Sequence, residues 1–289
     1  MCGRFALGLR HDEIQALPGY PNMQVDEWVD QEHFVPRYNI APHTNAPVVR
    51  RRDSANSELM LQTMHWGFQW SKENEKSQNA INARTETILE GVGVWNKVRG
   101  KKRCVVVCQG YYEWLKKGKD RFPHFTQHGD GKIMLLAGLY DSVAVEGESR
   151  PLCEFAIVTT DASKELSWLH DRQPLILTSQ EEIDSWLDTS SQSWNPKLQA
   201  MMRPYHDEEA PLKCYQVPKE VGRVGAESAT YIQPLSSRKD GIQAMFARQR
   251  LNRDPKYIKP SETKPLRRKR SSSPTLTDGI QIVKKDKRS

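Results

Sequence analysis

The run Cys104-Val-Val-Val-Cys108 constrains the fold more than any other part of this chain. It is short, wholly apolar, β-branched at its centre and bounded by charged or polar residues, which suits a buried strand. Ile133-Met-Leu-Leu136 and Phe155-Ala-Ile-Val158 repeat the pattern. Helices are fewer but well marked. Ser179-Gln-Glu-Glu182 is a capping-box pattern, and Ile183, Trp186 and Leu187 follow on one helical face. Asn195-Pro196 reads as an N-cap and first-turn pair before Leu198, Met201 and Met202. Asp161 is expected to cap a short helix running to Leu169. Many short strands with a few interspersed helices predict an α+β domain, without βαβ alternation and without a Gly-rich phosphate loop.

Composition divides the chain. Residues 1–235 read as one folded domain, and residues 236–289 as a disordered basic tail rich in Lys, Arg, Ser, Pro and Asp. The tail holds 16 Lys/Arg against 5 Asp/Glu, a net of +11. The remainder holds 27 against 31, a net of −4, so the folded part would bind a polyanion only through a local patch. Lys264-Pro-Leu-Arg-Arg-Lys-Arg270 reads as a nuclear localisation signal, and phosphorylation of the adjoining Ser273 would weaken it. Ile242, Met245 and Phe246 resemble a degenerate sliding-clamp-binding box, with Lys239 where glutamine is usual. Asp-Gly-Ile-Gln occurs at 240–243 and again at 278–281, and nothing in the sequence explains the repeat. No apolar run reaches membrane-spanning length, and Met1-Cys-Gly-Arg4 lacks the apolar core of a signal peptide. With an odd count of five widely spaced cysteines, this predicts reduced thiols in cytosol or nucleus. Cys104 and Cys108 have no second Cys/His pair at ligand spacing, so no metal is expected.

Cys2 is the residue with distinctive chemistry. Removal of Met1 leaves an α-amine and a thiol on the same residue. An aldehyde condenses with the amine, and the thiol then closes onto the imine carbon to give a five-membered thiazolidine; the second step is intramolecular and therefore fast. An α-amine titrates at roughly 7.7–8.0, so more of it is uncharged at neutral pH than of a lysine.

Four further segments carry residue types that such chemistry needs: Arg37-Tyr-Asn-Ile-Ala-Pro42, Ile81-Asn-Ala-Arg84, Gly110-Tyr-Tyr-Glu-Trp114 and Leu169-His-Asp-Arg-Gln-Pro174. With Met1-Cys-Gly-Arg-Phe5 they resemble, in order, the SOS response-associated peptidase family, whose eukaryotic members are abasic-site processing proteins. The resemblance runs to about Tyr231-Ile-Gln-Pro-Leu235. The fold expected is a mostly antiparallel, barrel-like β core with flanking short helices. The resemblance implies covalent capture of abasic sites in single-stranded DNA at replication forks, a lyase-type activity, and self-processing that removes Met1. It assigns Cys2 as nucleophile, Glu113 as general acid/base, His170 as proton donor or orienting group for the opened sugar, and Asn82 as the residue holding Cys2. It places Arg4, Asn39, Arg84 and Arg172 near phosphates, Trp70 against a base, and Thr159 in the pocket. Glu113, between Tyr112 and Trp114 after an apolar strand, suits a partly desolvated carboxyl with a raised pKa.

Three positions depart from the family pattern. Trp66-Gly-Phe-Gln-Trp70 is shorter than usual and lacks a proline, Gln173 replaces a common methionine, and Arg223 stands where asparagine is frequent. Other readings stay open at this level. An N-terminal-nucleophile amidohydrolase would use the Cys2 thiolate on an amide with its own amine as base. A non-catalytic reader of modified bases would not need Cys2, and a limited peptidase would act only on Met1. Monomeric action fits a one-lesion substrate, and no cofactor is expected.

Overall fold

The computed structural model describes residues 2–52, 58–70, 78–144, 147, 150–207 and 210–237. Met1, the basic run at 264–270, Ser273 and the clamp-box residues Ile242, Met245 and Phe246 lie outside the described residues.

The first half of the chain contains β1 (Phe5–Leu7), α1 (His11–Gln15), β2 (Val25–Val29), β3 (Arg37–Ile40), β4 (Asn45–Arg51), β5 (Leu59–Trp66), β6 (Phe68–Trp70), β7 (Gln78–Ala80) and β8 (Asn82–Arg84). Then come α2 (Thr85–Glu90), α3 (Gly93–Val98), β9 (Arg103–Cys108), β10 (Gly110–Lys117), β11 (Asp120–His128), β12 (Met134–Val143) and β13 (Leu152–Asp161). β14 (Arg172–Pro174), α4 (Gln180–Leu187), α5 (Pro196–Ala200) and β15 (Leu212–Gln216) follow. Among the described residues, no helix is long and apolar enough to cross a membrane.

Five strands close on themselves. β4, β9, β12 and β13 pair antiparallel in sequence around a ring, and β5 pairs antiparallel with β4. The ring shuts because β13 also pairs parallel with β5, Glu154 facing His65 and Phe155 facing Trp66. Closure removes free edges from the ring and gives each strand an interior face. β9 is buried along its whole length, because its outer side is covered as well. There the α4 residue Trp186 donates its indole N–H to the Cys104 carbonyl at 2.8 Å. Packing inside is close: a methyl group on Gly138 would lie 2.9 Å from Cys104 Sγ. Cys104 and Cys108 are thus packing residues, their thiols pushed well up by burial. The expected α+β class with a barrel-like, mostly antiparallel core and short helices is the one observed.

A second, five-stranded antiparallel sheet runs in the order β15-β11-β10-β1-β3. Its small apolar cluster holds Ala6, Tyr112, Phe125, Val217, Val221 and Tyr231.

The two helices with readable caps form where expected. Ser179 Oγ accepts the Glu182 N–H at 3.1 Å, and Asn195 Oδ1 accepts the Leu198 N–H at 3.0 Å. Glu182 does not close the box onto Ser179; its carboxylate accepts instead from Thr178 N–H and Oγ1–H, at 2.9 and 2.7 Å. The helix expected from Asp161 to Leu169 does not form. Asp161 is the last residue of β13, facing Arg172 of β14, so its backbone is committed to a strand. Residues 164–169 are successive turns, started by the Ser163 carbonyl, which accepts from Leu166 and Ser167 N–H.

Candidate active site

The N-terminal segment enters the five-stranded sheet through β1. Phe5 faces Tyr111, and the Arg4 carbonyl accepts the Tyr112 N–H at 2.9 Å. Cys2 and Gly3 precede β1, and Cys2 belongs to the main apolar core together with Phe5 and Leu7. Cys2 is fully buried. Burial pushes its thiol up to about 12, and the negative charge of Glu113 adds to the effect. A thiol so placed is protonated at neutral pH and must hand its proton on before it can attack.

Glu113 faces His124 across the β10–β11 pair and is 7% exposed. Loss of water raises its carboxyl above the ordinary glutamate range, against the opposing pull of His170. His170 lies beyond the 164–169 turns, its Nε2 3.9 Å from Glu113 Oε1. Its other nitrogen has two suitors. Arg172 N–H points at Nδ1 from 3.1 Å, and the Asp171 carboxylate lies 2.6 Å from it. With the Arg172 amide as partner, Nδ1 is an acceptor and a neutral ring carries its proton on Nε2, toward Glu113. With Asp171 as partner, Nδ1 carries the proton and Nε2 offers a lone pair. His170 can therefore present either a donor or an acceptor to the site by a tautomer change.

Asn82 reaches the same place from β8, which pairs parallel with β13, Asn82 facing Ile157. Its Nδ2 donates to the Cys2 carbonyl at 3.0 Å and to the Ile81 carbonyl at 2.9 Å, which fixes the main chain at Cys2. Asn82 Oδ1 is buried and has no hydrogen-bond partner among the described residues, as is Thr159 Oγ1 on the neighbouring strand. A buried acceptor without a donor costs about 1–3 kcal/mol, a cost that an incoming hydroxyl or amine would relieve. Cys2, Asn82, Glu113 and His170, far apart in sequence, thus come together at one place in the fold.

The residues expected at phosphates sit differently. Arg4 and Asn39 are buried against each other, Arg4 Nη1 donating to Asn39 Oδ1 at 2.6 Å and to the Val221 carbonyl at 2.9 Å. Asn39 Nδ2 donates to the Arg223 and Ala226 carbonyls. This pair ties the 221–226 segment to the sheet instead of facing solvent, and Arg223 contributes to it only through its main chain. Arg172 is held by Glu86 and Asp161, with Nη1 2.9 Å from Asp161 Oδ1 and Nη2 donating to the Thr159 carbonyl at 2.7 Å. A phosphate there would have to displace a carboxylate. Arg84 is exposed at the end of β8. Trp70 is half-buried, its ring 6.0 Å from Trp95 of α3.

Gln173, Trp168 and His124 matter more than their sequence positions indicated. Gln173 is buried, and its Oε1 accepts the Ser163 N–H at 2.8 Å, pinning the turns that present His170. Trp168, half-exposed, meets the His124 ring edge-on at 5.2 Å. The alternation of His124, Thr126 and His128 along β11 was the available signal, since it puts His124 on the face that carries Glu113.

Comparison with known proteins follows the same lines. A family model described as SOS response associated peptidase matches residues 1–224. A Saccharomyces cerevisiae protein named abasic site processing protein is 34% identical over 262 residues, covering 81% of this chain and 68% of that one. A Gallus gallus protein of the same description is 30% identical over 220 residues, covering 65% of this chain and 66% of its own length. The chain thus spans about two thirds of the length of these relatives. A crystal structure of a Bacteroides thetaiotaomicron protein has the same fold, with a TM-score of 0.65 at 24% identity over 81% of this chain and 99% of that one. With most of its length matched by the family model, this chain belongs to the SOS response associated peptidase family.

Proposed function

We propose that this protein captures abasic sites in single-stranded DNA covalently, through the amine and thiol of Cys2 after Met1 is removed. The observation that carries the reading is the meeting of Cys2, Glu113 and His170 at one desolvated site, with Asn82 fixing the cysteine main chain. Relatives named for abasic-site processing support the substrate class.

The chemistry follows from the proton inventory. Glu113, protonated more than an ordinary glutamate, donates to the sugar ring oxygen as its bond to C1 breaks, while the C1 hydroxyl gives its proton to the lone pair of His170 Nε2 and becomes the aldehyde carbonyl. The Cys2 amine adds to the aldehyde carbon, and water leaves from the carbinolamine to give an imine. The Cys2 sulfur then bonds to that carbon while its proton passes, by way of the Glu113 carboxylate, to the nitrogen. The net change is one aldehyde, one amine and one thiol converted to a thiazolidine and one water. Because burial keeps the thiol protonated, the amine leads and the thiol follows.

The wider reading has the adduct shield the lesion at replication forks, with Glu113 and His170 also serving a lyase-type step. Arg84 and Arg172 serve the phosphates and Trp70 a base. The protein acts as a monomer in the nucleus, directed there by the 264–270 run and to a sliding clamp by Ile242, Met245 and Phe246. Protein lacking Met1 should form an adduct resistant to denaturation with single-stranded DNA that contains an abasic site, and none with intact DNA. Cys2→Ser should lose the thiazolidine. An equal yield with Met1 retained would overturn the mechanism.

A further inference from the structure

A cavity of about 490 Å³ opens beside the turn that leads to His170. Its walls are the turn that leads to His170, through Glu165, Leu166 and Trp168, and the segment before β15, through Tyr205 and Asp207; Leu212 and Cys214 form its floor. The sheet register fixes its position. Glu113 faces His124, which faces Gln216, and in the next row Tyr111 faces Thr126, which faces Cys214. Directly opposed residues share a sheet face, so Glu113 and Cys214 look into the same space. They lie two strands and one row apart, about 12 Å between Cα atoms. Trp168 stands two residues from His170, and its ring touches His124, the cross-strand partner of Glu113.

The lining decides what could enter. Trp168 presents half its surface to solvent, and its indole N–H is already used on the Glu165 carbonyl at 2.8 Å, so what remains to offer is the ring face. Tyr205 spends its hydroxyl on the Ala210 carbonyl at 2.5 Å, and its ring lies 5.9 Å from that of the buried His128. Both aromatics are therefore held with their polar ends occupied. Glu165 and Asp207 add two carboxylates at the rim, beside His206. The Glu165 carboxylate is engaged by Ser163, and Asp207 Oδ1 accepts the Ala210 N–H at 3.0 Å. A carboxylate has several lone pairs, so both can still accept from an amino group while repelling phosphate. A volume of this order suits a small planar ligand.

We propose that this cavity seats the base next to the lesion, stacked on Trp168, and that it favours bases carrying an exocyclic amine. This rests on the abasic-site reading above and deepens it: the strand would lay its lesion sugar at Cys2 and its neighbouring base against Trp168, with its phosphates turned away from Glu165 and Asp207. Stacking tolerates every base, while the two acidic groups discriminate, so cytosine is preferred to uracil, which differs from it in the exchange of an amine for a carbonyl at C4.

The test uses the full chain and lesion-free oligonucleotides, so that binding is read without the covalent step. Fluorescence anisotropy with oligo-dC and oligo-dU should show tighter binding of dC. Trp168→Ala should weaken dC binding roughly 5- to 100-fold, the loss of one base–aromatic stack, and Trp168→Phe should recover most of it. Glu165→Gln together with Asp207→Asn should narrow the dC-over-dU preference while leaving Trp168 stacking in place. Equal binding by wild type and Trp168→Ala would overturn the proposal, as would Trp168→Phe behaving like the alanine variant or dU binding as well as dC. Thermal melting of each variant separates loss of the seat from loss of the fold. Adduct formation on lesion-bearing DNA is scored separately. Absence of an adduct beside a Trp168-dependent preference would defeat the capture reading and leave the seat, whereas the converse would defeat the seat alone.

Discussion

The carboxyl of Glu113 is kept from water, and its proton is held more tightly in the folded chain than in the unfolded one. Its contribution to stability is therefore intact below the ordinary glutamate value of 4.5 and is lost as pH rises through the raised folded value. Glu113→Gln does not titrate. It should melt above wild type at pH 8, with the gap closing toward pH 4. A gap of equal size at both pH values would show that burial of the charge is not its cause. Adduct formation should be slower in the same variant, since the amide cannot shuttle a proton. Asn82 gives a second expectation: Asn82→Ala removes the donor to the Cys2 carbonyl and should slow adduct formation roughly ten- to a hundredfold at unchanged DNA affinity. A change confined to affinity would mean that Asn82 touches DNA and does not hold Cys2. Cys2, Asn82, Glu113 and His170 were legible because each is a chemically specific residue in a recognisable segment. Arg4 and Asn39 were not, because an arginine near a chain end reads as solvated unless its partners are known, and theirs lie more than 180 residues away at Val221 and Ala226.

Among the elements, helix signals were reliable where a side chain capped a helix and unreliable where the backbone already had a strand partner. Ser179 and Asn195 cap the helices they were expected to cap. Asp161 has the right chemistry for a cap, but the β13–β14 ladder claims it, and its carboxylate goes to Arg172. What orders the turns after it is Gln173, reaching back ten residues to the Ser163 N–H. The methionine common at this position would offer no comparable acceptor, so in this chain the presentation of His170 depends on a buried amide. Gln173→Ala should leave the Ser163 donor unpaired, lowering stability by about 1–3 kcal/mol. It should also slow adduct formation, because His170 is no longer held at its 3.9 Å spacing from Glu113. Melting and single-turnover capture measured on the same preparation check both. A loss of stability with capture at the wild-type rate would show that the turns hold His170 without Gln173.

The strand runs at 104–108, 133–136 and 155–158 gave the β content of the whole molecule, but not the way the barrel closes. Closure depends on the parallel contact between β5 and β13, whose partners are some ninety residues apart, and neither strand's hydrophobic pattern specifies a neighbour. Charge, by contrast, was legible throughout, since it depends on composition alone: residues 1–235 carry −4 and residues 236–289 carry +11. The folded part has little free positive charge at its site, where Arg172 is neutralised by Glu86 and Asp161 and Arg4 is buried. The sequence-independent attraction to a phosphate backbone must then come largely from the basic stretch. Changing Lys264, Arg267, Arg268, Lys269 and Arg270 together to Gln should weaken binding of any single-stranded DNA at low salt. It should also flatten the slope of log K against log salt by up to about 3.5, at roughly 0.7 per phosphate contact on a single strand. At saturating DNA the adduct should still form, because none of the five residues belongs to the site that holds Cys2. An unchanged slope would place the phosphate contacts on the folded surface and leave Arg84 as the first residue to change.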